Sequence, residues 1–235
     1  MKAFRPYVEH LEGLATSSSD QSADWTRRVA SALNGEPGSE LADVLSLRTR
    51  RRMGAFFTGE TLAQQTIPSF KVLPRRAVFF DAACGVGDLL LAAARNLPVR
   101  DSLQATLDSW GRRLAGCDTN EEFVRAAKSR LVLLARKRVA AATKTESLDL
   151  RSVFPLIQVR DGLAAIDRYA AATWIILNPP YGYVNAPEGC SWASGKLTAA
   201  AVFFEACLRH SADGSLRRAS SASVVLLGAA IYQRK

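Results

Sequence analysis

Four apolar runs, each ending on an acid or an asparagine, constrain the fold of this chain more than any other feature. Val78 to Ala82, Leu114 to Asp118, Val153 to Arg160 before Asp161, and Thr173 to Leu177 before Asn178 all read as strands. Helical patterns lie between them. Strand and helix in alternation predict an α/β domain with a mostly parallel sheet covered on both faces. In an open sheet of that kind, ligands bind outside the carboxyl ends of the strands, which is where the four polar residues fall. Ser223 to Leu227 (S-V-V-L-L) adds a fifth strand.

The first strand runs into Asp81-Ala82-Ala83-Cys84-Gly85-Val86-Gly87-Asp88, and a helix begins at Leu89. Gly85 and Gly87 allow backbone conformations closed to other residues and let a ligand approach the chain directly. The helix N-terminus behind them offers N–H groups to a carboxylate. Asp118, at the end of the second strand, suits ribose hydroxyls. It equally suits a helix cap, since Thr119 and Asn120 precede a helical run from Glu121 to Ala142. The fourth strand meets Asn178-Pro179-Pro180-Tyr181. Two prolines force a stiff, extended exit from the sheet. Such a bend aims the Asn178 side chain and the Pro179 carbonyl, both acceptors, into one space, with the flat Tyr181 ring beside it. Two acceptors and an aromatic face match an amino group on a planar, conjugated system.

N-P-P-Y behind a buried strand resembles the catalytic motif of the amino-methyltransferases, and D-x-A-C-G-x-G resembles their glycine loop rather than the G-x-G-x-x-G of dinucleotide folds. Gly54-Ala55-Phe56-Phe57-Thr58-Gly59 is similar to the G-x-(F/Y)-(F/Y)-T-P segment of the adenine-specific DNA methyltransferases, with Gly59 where proline is usual, so a looser turn is expected. The order of these motifs is that of N6-adenine enzymes. The resemblance implies a doubly wound, Rossmann-like class I methyltransferase sheet, order 3-2-1-4-5, over residues 48–235, after a helical segment 1–47. It implies S-adenosyl-L-methionine as cofactor, held by Phe57, Thr58, Asp81, Ala83, Cys84, Gly85, Gly87, Asp118, Asp161 and Asn178. Asn178, Pro179, Pro180 and Tyr181 would be catalytic: the first two accept the target's amino hydrogens, and Tyr181 stacks on a base flipped out of double-stranded DNA. Restriction-modification or phage defence is the implied setting. A protein-glutamine or RNA-base methyltransferase, or a non-catalytic cofactor- or DNA-binding module, stays open beside it. The family sheet carries two further strands and a target-recognition region, so a missing C-terminal region or a partner subunit is expected.

Composition enters through charge: 31 Lys+Arg against 22 Asp+Glu, net +9, point to a polyanionic partner. Two clusters stand out. Arg48, Arg50, Arg51 and Arg52 lie in what reads as a loop before a helix capped by Thr58 or Thr61. Arg125, Lys128, Arg130, Arg136, Lys137 and Arg138 lie on a helix, either as a contact or as its wet face. Cys84, Cys117, Cys190 and Cys207 form no CxxC pair, and with only His10 and His210 to assist they predict neither zinc nor a disulfide framework. No apolar run of about 18 residues and no leader are present, so a cytoplasmic protein away from membranes is expected. Trp25, Val29 and Leu33 form an N-terminal apolar stripe. Pro98 to Arg113 reads as a polar connection and Leu163 to Tyr169 as a short helix. Gly182 to Gly195, with Cys190 and Trp192, reads as a substrate-contacting flap unless Trp192 faces the core. Lys196 to Arg209 reads as a helix with Leu197, Ala201, Phe204 and Leu208 on its covered stripe.

Overall fold

The structure, a computed structural model, describes residues 2–17, 22–67, 77–139, 148–165, 168, 171–172, 174–188, 190–191, 193–212 and 224–226. Five parallel strands make the main sheet: β1 (Phe79–Asp81), β2 (Leu114–Asp118), β3 (Ile157–Val159), β4 (Trp174–Leu177) and, last in the chain, β7 (Val224–Leu226). Their spatial order is β3-β2-β1-β4-β7. Counted among themselves that is 3-2-1-4-5, the doubly wound order expected. Register places Asp81 opposite Gly116, and Asp118 opposite Val159, so the polar ends share one edge.

Alternation along the strands divides the core between the two faces. Phe79, Leu114 and Ile176 pack with the helices of one face. Phe80, Ala115, Ile175 and Leu177 pack against Phe203 and Cys207 on the other. The first face holds α6 (Asp88–Arg95), α7 (Leu103–Gly111) and α8 (Glu121–Arg138), together with three N-terminal helices: α1 (Arg5–Thr16), α2 (Ala23–Ala32) and α3 (Glu36–Val44). The Trp25–Val29–Leu33 stripe is buried in that same cluster, as its spacing predicted. Two shorter helices follow, α4 (Leu47–Met53) and α5 (Glu60–Thr66), and α9 (Ala199–Ala212) covers the second face.

Several expectations need correction. Leu103–Gly111 is a helix, capped by Ser102 and burying Leu107 and Trp110, where a polar connection was expected. The third strand starts at Ile157 rather than Val153, because Phe154 sits at φ 50 before Pro155 and the chain turns there. Residues 162–164 form a 3-10 turn, so the helix expected over Leu163 to Tyr169 does not begin at Leu163; residues 166, 167 and 169 of that span lie outside the described residues. Lys196–Thr198 is not the start of a helix but strand β6, paired antiparallel with β5 (Tyr183–Asn185) inside the expected flap. Thr198 then accepts a hydrogen bond from Ala201 N and opens α9. The covered stripe of α9 runs through Ala199, Ala200, Phe203 and Cys207, while Phe204 is exposed. Trp192 and the side chain of Leu208 lie outside the described residues. No helix among the described residues is long and apolar enough to cross a membrane.

Candidate functional site

A cavity of about 630 Å³ opens at the carboxyl edge of the sheet. Each strand end reaches it by the shortest route. Gly85 and Ala83 come from the turn after β1, Asp118 ends β2, Asp161 follows β3, and Asn178 and Pro180 follow β4. Phe57 covers it from the segment before α5. A narrower space adjoins it beneath Phe57, walled by Thr58, Asp81, Cys84 and Asn178. Of the residues singled out from sequence, Gly87, Pro179 and Tyr181 line neither space. Gly87 starts α6, Pro179 is buried, and Tyr181 is half-buried beside Asn178.

Hydrogen bonds fix how the polar ends stand. Asn178 Nδ2 donates to Thr58 Oγ1 at 3.0 Å, which orients the amide. Tyr181 Oη donates to Asn178 Oδ1 at 2.7 Å, filling one of that oxygen's two acceptor positions. Burial pushes the Tyr181 hydroxyl pKa up, so it stays a donor. Asp118 Oδ2 accepts from Gly85 N at 3.0 Å and Oδ1 from Asn120 N at 2.8 Å, so this acid braces the glycine turn. The cap of α8 is Asn120, whose side chain accepts from Glu122 N. Asp161 Oδ1 accepts from Leu163 N at 2.9 Å.

Three carboxylates, Asp118, Glu121 and Asp161, line the cavity with no Lys or Arg among its lining residues. A fourth, Asp81, is 2% exposed beneath it. Burial pushes the Asp81 pKa up to about 8, and the nearby Asp118 and Asp88 add to the rise. Burial also raises the Asp118 pKa, against the two backbone donors. Asp81 therefore holds its proton near neutral pH, while the three acids on the cavity wall, with no Lys or Arg among the lining residues, disfavour phosphates and favour a cationic ligand.

The segment 54–59 departs from expectation in two ways. Thr58 does not cap α5. Its hydroxyl serves Asn178, and the cap position is Gly59, with no side-chain bond. Gly59 does not loosen the turn either, because its N–H donates to Asp88 Oδ2 at 2.7 Å. A proline there would have no N–H to give and could not adopt φ 73. The other end is equally fixed. Gly54 has φ +64, and a Cβ on it would lie 2.4 Å from Pro180 Cβ, so only glycine lets this segment touch the N-P-P-Y bend.

Asp88 in turn meets Arg130, which is fully buried. Arg130 donates to Asp88 Oδ1, Val86 O and Ala32 O, each at 2.7 Å, and to Asn34 O at 3.2 Å. Arg136 donates to Ala15 O at 2.8 Å, Arg138 to Ala94 O at 2.7 Å, and Arg125 to both Glu12 oxygens. Of the α8 cluster, Arg125, Arg130 and Arg136 staple the N-terminal helices to the domain and Arg138 ties α8 to α6, while Lys137 stays on the exposed face. Sequence reasoning also missed Phe4 and Phe123, whose rings lie 6.4 and 5.1 Å from Phe57 and back it from below. Thr119, Asn120 and Glu121 entered the reading only as helix-start residues, and they line the cavity too. Their place within three residues of Asp118 was the available signal.

No protein-family model matches the chain, and no curated protein does. Among solved structures, the chain resembles one in the cryo-electron microscopy structure of a DrdV–DNA complex. Identity there is 14%, coverage 92% of this chain, and the TM-score 0.56, which shows a common fold. This chain spans 24% of that chain's length. A putative class I S-adenosylmethionine-dependent methyltransferase from Listeria monocytogenes shares 15% identity over 89% of this chain and 70% of its own. Its TM-score of 0.36 is too low to add to the fold argument.

Proposed function

We propose that this chain transfers a methyl group from S-adenosylmethionine to the N6 amino group of adenine in DNA. One observation carries the reading: the bend after β4 and the glycine turn after β1 open on one cavity, with Asn178 at its wall. The likeness of fold to a chain from the DrdV–DNA complex supports nucleic acid as the substrate.

The residues present fit the donor. The cavity lies within the roughly 300–1,000 Å³ of small-molecule sites. Its acids suit a ligand carrying a sulfonium and an ammonium. A Cβ at Gly85 would stand 3.4 Å from the Phe57 ring, so glycine keeps the passage between them open. When bound, S-adenosylmethionine would supply an electrophilic methyl carbon. Attack by the target nitrogen's lone pair would form the N–C bond as the C–S bond breaks, its electrons leaving on the thioether and an amino proton passing to water. Asp118 would hold ribose hydroxyls and Asp161 the adenine amino group of the donor. Phe57 and Thr58 would close over its methionine end. The second acceptor position of Asn178 Oδ1 would take one of the target's hydrogens and the Pro179 carbonyl the other, which requires that carbonyl to turn toward the cavity, and the two bonds would draw the nitrogen toward a tetrahedral, nucleophilic shape. Stacking by Tyr181 requires its ring to turn toward the cavity and give up the 2.7 Å bond to Asn178. Placement and electrostatics then supply most of the acceleration.

Transfer of a labelled methyl group to DNA, RNA and protein tests the proposal. Label should enter adenine in duplex DNA, and Asn178→Ala should cut transfer at least about 10²-fold while leaving donor affinity nearly unchanged. Label in RNA or protein alone would overturn the substrate, and donor binding without transfer would identify a non-catalytic module.

A further inference from the structure

We propose that α4 is a docking surface for the phosphate backbone of duplex DNA, seating it at the mouth of the cavity. The inference rests on the reading of the chain as a DNA-modifying enzyme and assigns the surface that brings the substrate in. α4 reads L-R-T-R-R-R-M over seven residues, and its arginines have neighbours unlike those on α8. Arg48 and Arg51 are exposed and, among the described residues, form no ion pair. Arg50 is half-buried, with its Nε enclosed and without a hydrogen-bond partner among the described residues. Its guanidinium stands 5.9 Å from the centre of the Phe56 ring, which lines the cavity.

The helix is also tied to the site. Met53 and Gly54, at its C-terminal end, line the cavity, and Gly54 touches Pro180 of the catalytic bend. An anion held on α4 is thereby held in fixed relation to Asn178. Charge complementarity selects the occupant. The charged residues on the cavity wall are all acids, which repel a polyanion, so a backbone can approach its mouth only where cations offset them. Guanidinium groups suit phosphate through paired N–H donors, and the exposed Met53 and Phe56 offer apolar contact to sugar and base beside them. The overall charge of +9 fits the same partner, and because the α8 arginines are consumed internally, α4 is where that excess is presented at the site.

Binding of a labelled duplex of mixed sequence to the full chain, followed across salt concentrations, tests this. The variants are Arg48→Gln with Arg51→Gln, then the same pair with Arg50→Gln. The control is Arg27→Gln with Arg28→Gln on α2, where Asp24 is the partner. Each lost phosphate contact should lower the slope of log affinity against log salt by about 0.9, so the first variant should lose nearly two units. The control should lose none, and donor affinity should hold in every variant. An unchanged slope in the α4 variants, or an equal fall in the control, would overturn the surface and leave the methyl-transfer reading standing. A wild-type chain that binds RNA but no duplex DNA, or no nucleic acid at all, would overturn both. The first variant alters exposed side chains only, so loss of folding does not stand in for loss of contact.

Discussion

Arginines cluster twice in this chain, on α4 and on α8, and the two clusters look alike as residues. In space they are opposites. On α8, Arg130 is fully buried and its donors end on three carbonyls and the Asp88 carboxylate, while Arg136 and Arg138 cap carbonyls of α1 and α6. On α4, Arg48 and Arg51 face outward. The acids divide in the same way. Asp88 meets Arg130 and Gly59 N behind the glycine turn. Asp81, seven residues earlier, accepts from the Ala83 N–H and, among the described residues, has no cation beside it. Charges behind the turn are neutralised within the fold, and charges around the cavity are left for a ligand. Burial without compensation is costly, so an uncompensated group marks a place where something else binds.

The largest test of that division is Arg130→Met. Removing one member of a buried pair leaves the Asp88 charge uncompensated, which costs about 3–5 kcal/mol, and three carbonyls also lose a donor. Denaturant titration should show a loss of that size together with detachment of the N-terminal helices. A loss no larger than that of an exposed arginine would break the comparison.

Asp81 gives the next effect, with a pH signature. An acid whose folded pKa, about 8, lies above its unfolded value near 3.9 holds its proton more firmly when folded. Its contribution to stability is therefore highest below pH ~4 and falls as pH climbs to about 8. Asp81→Asn can keep the bond from Ala83 N and never ionises. It should flatten that decline and exceed the wild type by on the order of a few kcal/mol above pH ~8, with no gain at pH ~4. Equal pH profiles for the two proteins would show that Asp81 is already compensated.

Gly59 comes third. Gly59→Ala keeps the N–H but places a side chain at φ 73, ψ 162, a region nearly reserved for glycine, at about 1–3 kcal/mol. Donor affinity should weaken along with stability, because Phe57 and Thr58 hang on that turn. Gly59→Pro should be worse, since the bond to Asp88 goes as well. A proline variant that bound the donor as tightly as the wild type would show that the Asp88 tie does not hold the segment closed.

What could be read in advance follows the distinction between local and distant causes. Strand ends, the glycine turn and the N-P-P-Y bend are set by residues within a few positions of one another, so the edge of the sheet was legible, including its strand order. The α7 helix was legible in principle, from Ser102 before Leu103, Leu107 and Trp110, but scattered polar residues concealed the spacing. Other features had no local signature. Gly59 looked like a weakened proline because its partner, Asp88, lies 29 residues away. Arg130 looked exposed because its carbonyl partners lie at the end of α2 and just beyond it, 98 and 96 residues back. The β5–β6 hairpin escaped because Lys196–Thr198 pairs across a loop that reads equally well as a helix start.

The smallest expected effect bears on the comparison most directly. If Arg48 and Arg51 serve a ligand rather than the fold, replacing both with glutamine removes charge from solvent and nothing else. Exposed substitutions away from packing typically change stability by no more than about 0.5 kcal/mol. For a chain of this size that is a shift of roughly 1–2 °C in Tm, and relief of repulsion within a cationic cluster would make it a gain. A loss matching Arg130→Met would mean that α4 and α8 do the same work, and the division between neutralised and waiting charge would fail. Near silence in the melting curve, beside a changed salt dependence of DNA binding, separates a surface that folds the protein from one that meets a partner.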